Sequence, residues 1–229
     1  MMSFKHTFSA ILPLAFGAAL MAASAAAHAS VAYDQNLIVN GDAESDVSGW
    51  TAFDGYSLFQ AVEYGDNWVK PSQPGPSDRG SYLYTGVGAQ SAGYQLVDLG
   101  NLGSTPLSYS LSGWLGGWSS QEDNALLYVS FLDATGIEIG YAMIGPVTAA
   151  DRGNTTGLFY QHAEGLLPVG TSSLMFSLSM ERLGGGDNDG YADNLSFSIS
   201  AVPEPSQAWL LLAGLGVTVV ARSLRRRQD

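Results

Sequence analysis

Cysteine is missing from all 229 residues of this chain. Thiol catalysis, thiolate zinc sites and iron–sulfur clusters are thereby excluded, and so is any disulfide staple. A folded body must therefore stand on its own apolar core. Histidine is almost missing as well: beyond the first 30 residues only His162 remains. A His-rich metal site is excluded. A Ser-His-Asp triad would have to use that one imidazole, and no Gly-x-Ser-x-Gly turn exists to carry its serine. His162 reads as an exposed residue at a strand end.

Positive charge is scarce in the middle of the chain. Of 9 Lys+Arg, Lys5 and four arginines beyond position 221 lie at the ends, which leaves 4; of 21 Asp+Glu, Glu204 and Asp229 lie at the ends, which leaves 19. The body between them carries a net charge of 4 − 19 = −15. Such a surface repels nucleic-acid phosphates and anionic lipid headgroups, so nucleic-acid binding is excluded as a role. It tolerates divalent cations.

The body also lacks any long amphipathic helical pattern. Its period is two. Leu174, Phe176, Leu178 and Met180 alternate with Ser173, Ser177 and Ser179, and Leu195, Phe197 and Ile199 alternate with Ser196, Ser198 and Ser200. Leu107, Tyr109 and Leu111 alternate with serines in the same way. Each set puts an apolar row on one sheet face and hydroxyls on the other. Ala125–Leu132 is more continuously apolar and reads as a strand buried on both faces. Gly, Asn, Asp and Pro clusters separate these runs, and 28 glycines with 11% aromatics suit short strands, tight turns and ring-filled cores. Roughly 170 residues suffice for one domain. The fold class is all-β: a two-sheet antiparallel β-sandwich.

Both ends are of another character. Lys5 and His6 precede an apolar stretch over residues 8–27, and Ala27-His28-Ala29 offers the small-x-small pattern of signal peptidase cleavage. Residues 1–29 read as a signal peptide, cut after Ala29. The other end begins Val202-Pro203-Glu204-Pro205, continues as an apolar run from Ala208 to Ala221, and closes on Arg222, Arg225, Arg226 and Arg227. Within the run only Thr218 is polar, so a core helix with one wet face does not fit. At about 1.5 Å per residue the run reaches roughly 20–25 Å of a ~30 Å hydrocarbon core. With snorkelling at Arg222, residues 207–222 form a short transmembrane helix whose arginines stay inside and whose body lies outside the cytoplasm.

This tail resembles the PEP-CTERM sorting signal of Gram-negative bacteria. The resemblance implies a temporary membrane anchor, recognised at Pro203-Glu204-Pro205, removed by an exosortase, and oriented by Arg225, Arg226 and Arg227. The chain then divides into a signal peptide at 1–29, a sandwich at 30–201 and a sorting tail at 202–229.

The body carries a second resemblance. Asn36-Leu37-Ile38-Val39-Asn40-Gly41-Asp42-Ala43-Glu44, with Trp50 downstream, and Asp193-Asn194 before an apolar-alternating run are similar to the opening and closing strands of galactose-binding-like jelly rolls, among them many carbohydrate-binding modules. Ala43 departs from the aromatic usual there. The resemblance implies a structural calcium between opening loop and last strand, held at Glu44 and Asp193, with Asp42 beside them. Oxygen donors suit Ca²⁺. A solvated turn is the other reading of these acids; Gly186-Asp187-Asn188-Asp189-Gly190 reads as a solvated hairpin turn, with a calcium loop lacking the downstream Glu as its alternative.

One further cluster runs Trp114-Leu115-Gly116-Gly117-Trp118-Ser119-Ser120-Gln121-Glu122-Asp123. Trp114 continues a strand and reads as buried. Trp118 reads as exposed, and with Gln121 and Asp123 it could make a shallow saccharide platform, the indole stacking on a pyranose face. The alternative reading makes both indoles core residues around a Gly-rich turn. Function then points to an exported, non-catalytic surface or matrix protein serving adhesion or polysaccharide interaction. A soluble carbohydrate-binding module and a small glycoside hydrolase with paired carboxylates are the alternatives.

Overall fold

The computed structural model describes residues 33–65, 67–100, 102 and 105–202. The expected signal peptide and the expected C-terminal transmembrane segment lie outside the described residues. Among the described residues no helix is long and apolar enough to cross a membrane.

Among the described residues ten strands are formed. The first four are β1 (Thr51–Ala52), β2 (Gln60–Glu63), β3 (Tyr82–Gly86) and β4 (Gln90–Asp98). β5 (Leu107–Gly117), β6 (Asn124–Leu132) and β7 (Glu138–Ile144) follow. The last are β8 (Gly157–Leu166), β9 (Ser173–Glu181) and β10 (Asn188–Ala201). One sheet has the order β1-β4-β9-β6-β7 and the other β2-β3-β10-β5-β8, each with antiparallel strand pairs. Only β2–β3 and β6–β7 are hairpins within a sheet. Every other step from β3 onward crosses to the opposite sheet, which makes the sandwich a jelly roll.

The alternating rows meet between the sheets. Leu174, Phe176, Leu178 and Met180 of β9 face Leu195, Phe197 and Ile199 of β10, all buried in one cluster with Leu111 and Leu115 of β5. Phe197 is the hub: its ring lies 5.3 Å from Phe176, 5.7 Å from Tyr109 and 6.3 Å from Phe131. Each such side chain removed from water stabilises the fold by about 1.5–3 kcal/mol. β6 differs from expectation. Ala125, Leu127, Val129 and Phe131 are buried, but Leu126 and Tyr128 are only half-buried. The strand has one core face, because only one sheet covers it.

The opening segment differs too. Residues 33–50 form turns rather than a strand, with Asn40, Ala43 and Asp46 in the left-handed region at φ of 51°, 61° and 54°. They nevertheless dock along β10. Leu37 N donates to Phe197 O at 2.8 Å, and Leu195 N donates to Gly41 O at 2.8 Å. The Asn36 amide stands in for a strand residue: its nitrogen donates to Leu195 O at 3.0 Å, while its oxygen accepts from Phe197 N and Ile38 N, each at 3.0 Å. Position 41 must be glycine, since a Cβ there would sit 2.1 Å from Leu195 O. A β-bulge between Asp193 and Ser196, with Asn194 at φ 47°, ends the upper part of β10 and lets this segment in.

Candidate functional site

Two features grow from this joint. The first is acidic. Asp193 is fully buried; one carboxylate oxygen accepts the Tyr64 hydroxyl at 2.5 Å and the other accepts Asn194 N at 2.7 Å. Burial pushes its carboxyl up to about 7 against those two hydrogen bonds, and the charges of Asp42 and Glu44 add to the rise. Burial also raises the Tyr64 phenol, over whose ring the Arg79 guanidinium lies at 5.0 Å. Glu44 is exposed, and its Oε1 accepts Ser81 N at 2.7 Å and Tyr82 N at 2.8 Å. Asp42 is exposed next to it.

The structure thus brings the three expected acids to one place. Hard oxygens around a buried acid, with like charges raising it, suit a divalent cation in kind. Among the described residues, however, no three His, Asp or Glu side chains converge as a metal-holding group. An ion here would draw on Glu44 and Asp193 and would need backbone oxygens or water for the rest.

The second feature is a concavity of about 380 Å³ on the outer side of the sheet, opening where the docked segment meets β10 and β5. Trp114, Ile38 and Leu195 are its apolar lining and Asp42, Asp78, Asn194 and Ser196 its polar side chains, while the Asn40 amide at its edge is engaged by Asp46, Ser48 and Ser45 of its own loop. Trp114 is half-buried rather than buried: alternation turns it to the outer face of β5, where, like Trp118, it packs against the small cluster of Val69, Leu83, Leu158 and Tyr191. Asn194 Nδ2 donates to Asp78 at 3.1 Å and holds the rim. Trp114 sits opposite Tyr160 of β8 in the ladder, their rings 5.7 Å apart and edge to face. Tyr160 is 54% exposed and stacks on His162 at 5.9 Å with 18° between planes. His162 is exposed as expected, but in mid-strand, not at a strand end. A second concavity of about 470 Å³, bounded by Leu102, Pro106, Pro168 and Val169, has no aromatic ring in its lining.

The loop after β5 corrects the expected platform. Trp118 is half-buried against Val69, Leu83, Leu158 and Tyr191. Asp123 is fully buried and structural: Oδ1 accepts Leu183 N at 2.6 Å and Gly184 N at 2.7 Å, and Oδ2 accepts Asp189 N at 3.0 Å. A carboxylate so engaged offers nothing to a sugar. Gln121 is half-buried, with its Oε1 enclosed and unpartnered. Beneath them the buried Arg152 donates to the carbonyls of Ser119 at 2.7 Å, Thr155 at 3.0 Å and Gln121 at 2.6 Å. Asn188 and Asp189 are not a solvated turn; they are buried at the start of β10, where Asp189 accepts the Tyr191 hydroxyl at 2.7 Å.

Residues 201–227 match the PEP-CTERM protein-sorting motif. A tail of this kind implies export, processing by an exosortase and a surface or extracellular destination. No match exists among curated protein sequences. Among solved structures, the chain is similar to TmCBM61 in complex with β-1,4-galactotriose, at 19% identity over 73% of this chain and 99% of that one, TM-score 0.43. It is similar also to the CBM22-1 xylan-binding domain from Paenibacillus barcinonensis, at 14% identity over 76% of this chain and 100% of that one, TM-score 0.41. The enzymatically active domain of bacteriophage CBA120 tailspike protein 4 matches at 14% identity, TM-score 0.49. There the match covers 72% of this chain and 21% of that one, so the chain spans about a fifth of that protein's length. The jelly roll itself is defined by the chain's own strand pairing.

Proposed function

We propose that this is an exported, non-catalytic surface or matrix protein whose sandwich binds polysaccharide in the concavity beside Trp114. One observation carries the reading: a single open hollow combines an indole wall with amides, hydroxyls and carboxylates. That is the pairing a pyranose requires, with its apolar face and its equatorial hydroxyls. The signal peptide at 1–29 is removed after Ala29. The tail at 202–229 anchors the sandwich of residues 30–201 to the inner membrane through residues 207–222 until an exosortase acts at Pro203-Glu204-Pro205. Calcium at Glu44 and Asp193 would fix the docked segment that forms one wall of the hollow.

The test is a polysaccharide array probed with the mature body and with Trp114→Ala. Retention on at least one neutral polysaccharide, abolished in variant molecules that remain folded, supports binding. Release of reducing ends from the retained polymer would make the protein a hydrolase instead. Matrix retention in cells without affinity for any polysaccharide would leave a purely adhesive role.

A further inference from the structure

One end of the sandwich is apolar at its tips. Val202 N donates to Pro106 O at 3.0 Å, so the chain leaves the body beside the β4–β5, β6–β7 and β8–β9 connections. Those connections bound the concavity of about 470 Å³, whose lining joins Pro106, Ala134 and Val169. Among the described residues the three most exposed large hydrophobic side chains all lie at this end: Val169 at 89%, Leu166 at 68% and Ile137 at 63%. Local hydrogen bonds fix two of them in place. Val169 tips a tight turn closed by Thr171, whose N–H and hydroxyl both donate to Pro168 O, with Gly170 at φ 95°. Ile137 ends a turn organised by Asp133, whose Oδ1 accepts Thr135 N at 2.8 Å and Ile137 N at 3.0 Å.

The sorting tail departs from this same end. Residues 203–207 separate it from the apolar run that begins at Ala208, and the six steps from Val202 span at most about 20 Å. A run seated in a bilayer therefore holds the tips close to the headgroups. Charge gives this end no grip on an anionic surface. Arg152 and Arg182 lie in the β7–β8 and β9–β10 connections at the opposite end, and Lys70 and Arg79 lie in the β2–β3 connection. Asp98 and Asp133 stand here instead, so any contact with a membrane must be apolar.

We propose that, while the tail is anchored, this end of the sandwich rests on the membrane with Val169, Ile137 and Leu166 inserted among zwitterionic lipid headgroups. The contact presupposes the anchored tail proposed above and adds the face on which the body sits. Insertion is shallow, because the amides and carbonyls of the loops must keep water or one another as partners. No tip holds the body on a bilayer by itself. The anchor makes the contact intramolecular, so weak apolar insertions suffice. The strands then stand upright on the bilayer, with Val202 beside it and the Arg182 end farthest away.

The chain has no cysteine, so Val169→Cys, Ile137→Cys and, at the opposite end, Leu183→Cys each accept a single fluorescent label. Leu183 is itself 58% exposed, which makes it a fair control. Chain with its tail intact, purified from cells that lack an exosortase, is placed in phosphatidylcholine nanodiscs. The labels at positions 169 and 137 should be quenched by lipid bearing a nitroxide near the headgroup, and shielded several-fold from aqueous iodide relative to the label at 183. Adding anionic phosphatidylglycerol should weaken both effects. Val169→Asp, at a residue too exposed to matter to the core, should release the label at 137. Equal iodide access at all three positions, with chain and disc still co-eluting, would overturn the docked end and leave the anchor standing. Shielding from iodide without quenching by lipid would overturn it too, because residues 203–207 or a second copy would then cover the tips. A label at 183 quenched as strongly as that at 169 would lay the body on its side and overturn the upright contact. Chain that fails to co-elute with the discs would remove the anchor reading, and the docked end with it.

Discussion

Tyr64 donates its hydroxyl to Asp193 at 2.5 Å across 129 positions of sequence, and the acid that accepts it is fully buried. The contact joins the loop after β2 to the bulge of β10, where the docked segment of residues 36–44 also arrives. Asp193 therefore lies at the meeting point of three stretches of chain, where burial, with the charges of Asp42 and Glu44 adding to it, pushes its carboxyl up to about 7. Its proton is a structural variable.

Stability should depend on pH through this group. The carboxyl is raised in the folded state, so between about pH 4 and 7 the native protein holds a proton that the unfolded chain has lost. Folding is favoured below that window, and the contribution is lost as pH rises toward 7, with a slope approaching 1.4 kcal/mol per pH unit for about one proton. Urea unfolding of the metal-free body across this range should show the decline. Asp193→Asn, which cannot ionise, should flatten it; an unchanged slope in that variant would assign the effect elsewhere.

Calcium would reverse the sign of that argument. An ion bound only by the folded state adds RT ln(1 + [L]/Kd), about 2.7 kcal/mol at a hundredfold excess over Kd, and it holds Asp193 ionised. The expected result is a melting temperature that rises with millimolar calcium and falls with chelator, together with loss of the acid-side slope. Asp193→Ala should remove most of the calcium response, while Asp189→Ala, whose carboxylate is engaged by Tyr191, should remove little. A melting curve indifferent to both calcium and chelator would leave Asp193 as a protonated buried acid.

The loop after β5 should behave as structure. Asp123→Ala strands the Leu183, Gly184 and Asp189 amides in the interior, each at a cost of about 1–3 kcal/mol unless water enters. Trp118→Ala removes a half-buried ring from the Val69, Leu83, Leu158 and Tyr191 cluster and should cost less than the about 3–5 kcal/mol of a fully buried one. Neither change should weaken saccharide binding in molecules that remain folded. Chemical denaturation beside binding measurements separates the two. Normal stability with lost binding in Trp118→Ala would return the platform to this loop.

How much of this could be read beforehand depended on distance along the chain. Alternation in Leu174–Met180 and Leu195–Ile199 is local, and it placed both central strands correctly. Asn36 and Gly41 were visible as a motif, but not the left-handed residues Asn40, Ala43 and Asp46 that turn the segment out of strand geometry while it still docks on β10. Asp123 sits among Ser, Gln, Glu and Asn and looks like loop polarity; its burial is due to amides from Leu183 onward, 60 positions away. Trp114 and Tyr160 meet only through β5–β8 register, so neither marks a site alone.

The tail makes the remaining prediction. β10 ends at Ala201, and proline at 203 and 205 has no N–H to offer a ladder, so cleavage within Val202–Pro205 is the expected outcome. The apolar run from Ala208 to Ala221 is short for a span, in keeping with the proposed temporary anchor. Intact-mass measurement of protein recovered from cells and medium should find a form that begins at Ser30 and ends within Val202–Pro205. Replacing Glu204 with alanine should leave the uncut chain in the inner membrane fraction. Replacing Arg225, Arg226 and Arg227 together with glutamine should disturb orientation before cleavage, since positive charge holds that end in the cytoplasm. A mature protein that still ends at Asp229 and remains in the inner membrane would defeat the sorting proposal. The saccharide reading would then describe a permanently anchored domain.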